Sequence, residues 1–160
     1  MSLIDWSTTV LVVATIASGL NAGLFYGFAC AVMPGLRQVD DRAFVTVMQS
    51  INRRIINPVF LVIFVGAPVL ALGAMVFVAA AGRSGLWSAA GAVAFSLLTI
   101  VITAAVNVPL NNAIDAAGDP DRNPDLRAVR QEFETRWVRW NVARTVTSTL
   151  AFGCLVPAVV

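Results

Sequence analysis

Hydrophobic and polar positions divide the chain into four long apolar segments separated by polar stretches. The apolar segments cover about residues 8–33, 58–81, 86–114 and 137–157. Each is long enough to cross a hydrocarbon layer of about 30 Å, which requires roughly 20 helical residues. The pattern therefore predicts an all-α protein, a bundle of four transmembrane helices forming a single integral membrane domain over residues 1–160.

The two longest polar stretches contain helical patterns of their own. After Asp40-Asp41, which are favourable N-cap residues, apolar side chains recur at helical spacing through residues 42–55. This stretch predicts an amphipathic helix at the cytoplasmic interface, between transmembrane helices 1 and 2. Asn123-Pro124 suits the start of a helix, and an apolar stripe over residues 126–140 leads into the last segment. Helix 4 is therefore expected to have a cytoplasmic extension.

Composition and charge narrow the range of functions. The chain is 58% hydrophobic and 12% charged, whereas soluble domains average about 25% charged residues. All 11 basic residues are Arg, and no run of them suggests nucleic-acid binding. The chain contains no His, which removes the commonest metal ligand and general base. We therefore expect no metal, no cofactor and no nucleic-acid partner.

The arginines also predict an orientation in the membrane. The polar stretches after the first and third apolar segments carry four arginines each, whereas Arg83 stands alone between the second and third segments. Because short cytoplasmic loops are enriched in Arg, both long loops are expected in the cytoplasm and both termini outside. The predicted location is the plasma membrane, which is the inner membrane in a bacterium.

Arg144 is the residue that the apolar pattern explains least. No charged residue follows it up to Val160, and at about 1.5 Å per residue it lies roughly 10 Å beyond Trp137. An arginine at the centre of a membrane helix costs roughly 2.5–3.5 kcal/mol. Trp140 and Asn141 share its helix face by spacing. We therefore expect Arg144 to face a protein interior, a watery cavity or a bound anion.

Further polar and aromatic side chains are expected at the same depth in the cytoplasmic half. Asn107 and Asn111 lie one turn apart on helix 3, and Pro109 between them leaves the carbonyl of Ala105 without its helical donor. Polar side chains gathered in one half of the bilayer predict a pocket. A pocket with these donors and aromatic walls suits a flat, apolar molecule with a carbonyl or phenolate oxygen. The asparagines could instead join helices, and Trp137 could mark the membrane interface. The predicted catalytic residues are Arg144, Asn141, Asn107 and Asn111, and the predicted substrate-binding residues are Trp137, Trp140, Tyr26, Phe25, Asn52 and Asn57.

Five short motifs carry a family resemblance. They begin at Gly23, Val32, Met48, Asn107 and Trp137 and read GLFYGF, VMPGL, MQSINRRIINP, NVPLN and WVRWNVAR. Together they resemble the anthrone oxygenase-like family of small four-helix membrane proteins, over nearly the whole chain. The resemblance implies oxidation of an anthrone-like or other flat aromatic substrate by molecular oxygen, with no cofactor.

The resemblance also implies a mechanism. The substrate stacks on an indole and loses a proton, Arg144 and Asn141 hold the enolate, and the enolate reacts with oxygen. The residue pattern leaves the proton acceptor open among Asp115, Tyr26 and water. The alternative function is a non-catalytic membrane protein that binds a quinone, a lipid or a partner helix. A transporter is disfavoured because the polar residues are expected to stop halfway across, and a homo-oligomer fits either function.

Overall fold

The computed structural model describes residues 3–159, with side chains from residue 5 to residue 158. All regular structure in this part is helical, without a strand, so the prediction of an all-α protein is confirmed. The α-helices are α1 (Leu3–Gly27), α2 (Met33–Leu36), α3 (Asp41–Ile55), α4 (Pro58–Ala80), α5 (Leu86–Ile102), α6 (Val108–Ala116) and α7 (Leu126–Val159); π-helical segments occupy Phe28–Val32 and Thr103–Asn107.

Three stretches of helix in the described residues are long and apolar enough to cross a membrane. They are Asp5–Leu36, Pro58–Ala80 and Leu86–Ala116. The sequence predicted four. Helix α7 is not among the three: it carries six charged residues between positions 126 and 143, followed by Arg144.

The long helices pack in pairs. Helix α1 packs against α4 and α7, and α5 packs against the same two helices. One hydrophobic cluster, near the start of α1, is rich in alanine, and small side chains let helix backbones approach closely. The second cluster lies at the other end, where α3 joins it, and uses larger side chains: Met33, Phe44, Met48, Leu110, Ile114, Phe133 and Trp137 are among its members.

Side-chain caps fix the helix starts in the polar stretches. Asp40 accepts a hydrogen bond from the backbone N–H of Ala43 at 2.7 Å and begins α3. Asp125 accepts one from the N–H of Ala128 at 3.0 Å. The last helix therefore begins at Leu126, and the expected start at Asn123-Pro124 is wrong by two residues. The Asn123 side chain instead accepts from Asp125 N–H at 2.9 Å, a turn that precedes the helix.

The buried face of α3 differs from the apolar stripe that the spacing predicts, which consists of Phe44, Val47, Met48, Ile51 and Ile55. Val45, Gln49 and Asn52 are buried together with Phe44 and Met48, whereas Val47 is 39% exposed. The Gln49 side chain donates to the carbonyls of Ile114 and Gly118, both at 2.9 Å. The Ile114 carbonyl lies in the last turn of α6, where an α-helix leaves carbonyls without intrahelical donors, and Gly118 lies two residues beyond the helix. Helix α3 is therefore attached to the end of α6.

Both π-helical segments precede a proline at the same spacing. The segment Phe28–Val32 ends two residues before Pro34, and Thr103–Asn107 ends two residues before Pro109. Proline lacks an N–H and its ring clashes with the carbonyl four residues earlier. The helix widens locally, so that Met33 N–H bonds Phe28 O and Val108 N–H bonds Thr103 O. The first helix was expected to end at Pro34-Gly35; instead it continues through the widened turn to Leu36.

Candidate functional site: a cavity around Arg144

A cavity lies between the end of the first span, the end of α3, α6 and α7. Together with the open solvent at its mouth it contains about 730 Å³ of empty space. Buried Phe25, Trp137 and Arg144 lie at its inner end, and exposed Ile56 and Asp115 lie at its mouth. The other lining residues are Leu24, Phe28, Ile51, Asn52, Ile55, Phe60, Thr103, Val108, Asn111 and Asn112.

Arg144 is buried and held by an amide. Arg144 is 6% exposed, and its Nη2 donates to Oδ1 of Asn141 at 2.9 Å. The Asn141 Nδ2 in turn donates to the carbonyl of Phe25 at 3.1 Å. Because Asn141 is fixed by the backbone of α1, its oxygen is a stationary acceptor for the guanidinium. The buried Nε of Arg144 has no hydrogen-bond partner.

Aromatic rings, rather than a carboxylate, surround the Arg144 charge. Its Cζ lies 4.5 Å from the Phe25 ring centroid and 5.3 Å from that of Trp137. Arginine over an aromatic face gains about 0.5–2 kcal/mol from the ring quadrupole. Among the described residues, no Asp or Glu oxygen lies within 4.0 Å of its guanidinium. The inner end of the cavity therefore has a positive charge that no protein anion neutralises.

Trp137 forms a wall of the cavity and is held on several sides. Its Nε1 donates to Oδ1 of Asn111 at 2.8 Å, and its ring lies 5.7 Å from that of Phe28 and 5.9 Å from that of Phe133. Asn107 Nδ2 donates to the Trp137 carbonyl at 3.5 Å. Hydrogen bonding at the ring nitrogen and packing on the ring fix the plane of the indole in the cavity wall.

The two π-helical segments both reach this wall. Phe28 opens the first segment and packs on Trp137, and Thr103 opens the second segment and lines the cavity. Single π turns inside α-helices occur frequently at functional sites. Their only signal in the sequence is the proline that follows each one.

Most of the predicted site residues lie together. Arg144, Asn141, Phe25, Trp137 and Asn111 form one set of linked contacts. Asn107 joins it through the Trp137 backbone, and Asn52 joins it by donating from Nδ2 to the carbonyl of Asn111 at 3.3 Å.

Five predicted residues lie outside the cavity lining: Asn107 and Asn141, which hydrogen-bond to lining residues, and Tyr26, Trp140 and Asn57. Tyr26 is 61% exposed, because it follows the inward-facing Phe25 and is turned about 100° away on the helix. Trp140 is 37% exposed at the edge of the same face. Asn57 caps α4 by accepting from Phe60 N–H at 3.1 Å, and its Nδ2 donates to the carbonyls of Arg54 and Ile55. That position corrects the expectation that Asn57 faces the substrate.

Buried polar side chains continue for one helical turn beyond Arg144. Thr147 and Ser148 donate to the Arg144 carbonyl at 3.2 and 2.6 Å, and the hydroxyl oxygens of Thr147 and Thr99 lie 2.7 Å apart. Since these hydroxyls bond carbonyls of their own helix or one another, they serve helix packing. On α1, Ser18 Oγ and Asn21 Oδ1 are buried without a partner.

The cavity combines a buried guanidinium with aromatic walls. Asp115 and Arg144 are the charged residues among its described lining. No group of three or more His, Cys, Asp or Glu side chains in the described part of the chain could hold a metal ion.

Comparison with known proteins identifies a family. A family model described as anthrone oxygenase matches residues 45–154, well over half of the chain and all of the cavity residues from α3 to Arg144. No curated protein and no solved structure matches the chain. The resemblance drawn from the five motifs is thus confirmed, and the chain belongs to the anthrone oxygenase family.

Proposed function

We propose that this protein oxidises a flat aromatic, anthrone-like substrate with molecular oxygen in the cavity around Arg144, without a resident cofactor. The observation that carries the proposal is the buried Arg144 guanidinium, which lines the cavity and has no carboxylate partner among the described residues. A ligand oxyanion would supply the missing negative charge. Family membership supports the same reaction class.

The cavity walls fit a planar ring system. Trp137 and Phe28 are held against each other at 5.7 Å, and Ile51, Ile55 and Phe60 supply apolar surface opposite α6 and α7. Stacking and apolar burial would bind the rings, and the guanidinium would orient the single oxygen. This division between apolar walls and a few polar groups is usual in small-molecule sites.

The reaction requires the substrate to become electron-rich. Loss of a proton from the methylene group leaves the electron pair delocalised onto the carbonyl oxygen, and Arg144 stabilises that enolate by charge and hydrogen bonding. The enolate carbon reduces oxygen and forms a carbon–oxygen bond, giving a hydroperoxide on the substrate after proton uptake. Loss of water from that hydroperoxide leaves the second carbonyl, so one O₂ yields one quinone and one water.

The proposal also places the protein in the membrane. The second half of α7, from Thr145 to its end, carries no charge and packs between α1 and α5, which supports its crossing as a fourth span. The Arg-rich stretches then lie in the cytoplasm with both termini outside. Helix α3 and the first half of α7 lie at the cytoplasmic surface, and the cavity opens in that half of the bilayer. Single cysteines introduced at exposed Ser84 and Arg122 test this orientation. A membrane-impermeant thiol reagent should label the first from outside and the second only from the cytoplasm.

The proposed activity is tested with purified protein and anthrone in an oxygen electrode. We expect oxygen uptake above the autoxidation rate of the same solution without protein, with one anthraquinone formed per O₂ consumed. Mass spectrometry of molecules that co-purify with the protein provides the second measurement. A bound lipid or quinone without oxygen uptake on a panel of anthrones would contradict the oxygenase proposal and support the non-catalytic binder.

A further inference from the structure

We propose that Asp115 is the catalytic residue that accepts the proton from the substrate methylene. This inference rests on the proposed function above, since it assigns a role within that reaction. Asp115 is the one carboxylate among the described side chains that line the cavity. Its oxygens make no ion pair with any described arginine, so the carboxylate is not already neutralised by a neighbour.

The position of Asp115 follows from the helix that carries it. Asn111 and Asp115 are one turn apart on α6, which places their Cβ atoms about 5–6 Å from each other on one face. Asn111 is fixed to the indole of Trp137 at 2.8 Å and to Asn52 through its carbonyl at 3.3 Å. On this face of α6, Asn111 therefore holds the Trp137 indole, and Asp115 presents its carboxylate one turn closer to the mouth.

The substrate geometry matches this arrangement. In an anthrone, the carbonyl and the methylene occupy opposite positions of the central ring. When the oxygen is bound by buried Arg144 at the inner end, the methylene points away from the guanidinium and towards the mouth. Arg144 and Asp115 are the two charged residues of the described lining, and because Arg144 is buried and Asp115 is exposed, we infer that they lie at the inner and outer ends.

The proposed step is balanced. The carbon–hydrogen bond of the methylene breaks, its electron pair passes into the ring system and onto the oxygen held by Arg144, and the proton forms an O–H bond with the Asp115 carboxylate. Because Asp115 is exposed at the mouth, that proton exchanges with water before the next turnover. Tyr26 is 61% exposed and does not line the cavity, so it is not placed to take this role.

The test measures proton removal without oxygen. Wild-type protein and anthrone are mixed in D₂O under anaerobic conditions, and deuterium incorporation at the methylene is followed by NMR and corrected for exchange without protein. Positioned general bases contribute about 10²–10⁴-fold, so Asp115→Asn should slow the protein-dependent exchange at least tenfold. Asp115→Glu should restore part of it. The matched control is Asp119→Asn, because Asp119 lies outside the cavity. Its asparagine oxygen can still accept the hydrogen bond from the Asp121 N–H, so this variant should exchange at the wild-type rate.

The outcomes separate this inference from the proposed function. Affinity for a hydroxyanthraquinone probe, followed by tryptophan fluorescence, should be unchanged in Asp115→Asn. Wild-type exchange that persists in Asp115→Asn overturns the role of Asp115 while the oxygenase proposal stands. Loss of probe affinity equal to the loss of exchange also overturns it, because the residue would then only hold the cavity in shape. No exchange and no oxygen uptake by wild type would defeat both.

Discussion

Replacing Arg144 with methionine separates a ligand-binding role from a structural one. Methionine fills a similar volume without charge. In the protein, the guanidinium has one hydrogen bond, to Asn141 at 2.9 Å, and two ring contacts. An arginine that bound a buried protein carboxylate would cost about 3–5 kcal/mol to remove. Arg144 has no such partner among the described residues, so its removal leaves no buried anion behind.

The effect on stability is therefore expected to be small. Removing the charge relieves roughly 2.5–3.5 kcal/mol of insertion cost. Losing the contacts costs about 1–3 kcal/mol for the unpaired Asn141 oxygen and about 0.5–2 kcal/mol for the cation–π contacts. These terms offset each other to within about 2.5 kcal/mol. At about 2–4 °C per kcal/mol for a chain of this size, the Tm of Arg144→Met should stay within several degrees of the wild-type value.

The effect on ligand binding is expected to be large. A hydrogen bond to a charged group contributes about 1.5–3 kcal/mol, which is a factor of about 10–150 in affinity. An ionised hydroxyanthraquinone should therefore lose at least tenfold affinity in Arg144→Met, and uncharged anthraquinone should lose less, because its carbonyl oxygen carries no full negative charge. Arg139→Met provides the control, because Arg139 is exposed on the same helix.

Fluorescence titration measures the affinities of the two probes, and a thermal melt in the same detergent measures Tm. Equal losses for the charged and neutral probes would refute the oxyanion role. A fall in Tm that corresponds to more than about 3 kcal/mol would show instead that Arg144 serves mainly to hold the helices together.

Three further predictions concern the scaffold. Pro109→Ala restores the N–H that α6 lacks at this position, so the preceding π turn should relax and probe affinity should fall without loss in Tm. A Cβ at Gly19 would lie 3.2 Å from the Phe152 ring, whereas one at Gly23 meets nothing within 4 Å; Gly23→Ala should thus melt higher than Gly19→Ala, and equal melting temperatures would contradict this packing. The hydrogen bond and charge of Arg42 lower the pKa of Asp121 in the folded protein. The pair therefore stabilises the fold at pH values above the pKa of Asp in the unfolded chain, about 3.9. This contribution is lost as the pH falls through the lowered pKa of Asp121 in the folded protein. The Tm difference between wild type and Asp121→Asn should therefore shrink on acidification from pH 5 to about pH 2.5.

Sequence reasoning located the helices and the buried charge because both depend on simple physical rules. Long uncharged runs fix where apolar helices lie, and Asp40 is a capping residue whose role follows from residue type. Arg144 stood out because an arginine inside such a run is costly unless the protein encloses it. The burial of Arg144 in the structure agrees with that argument.

The facing of individual side chains was harder to predict. Neighbouring residues on a helix differ by about 100°, so Phe25 and Tyr26 could not be separated from the sequence as wall and exposed residue. A π turn adds a further rotation that periodicity does not include, and two such turns flank Trp137. The position of Asp115 at the cavity mouth depends on how α6 is oriented after its π turn, and helical spacing alone could not supply that.

The surroundings of Arg144 favour a ligand role over helix packing. A packing role needs only a neutral hydrogen bond between helices, and the Asn141 amide already supplies one to the Phe25 carbonyl at 3.1 Å. Adding a guanidinium costs roughly 2.5–3.5 kcal/mol, and its Nε remains without a partner. The rings of Phe25 and Trp137 lower that cost but do not neutralise the charge. A charged residue that costs stability and lines a cavity without a carboxylate partner among the described residues is best explained by an anionic ligand that neutralises it.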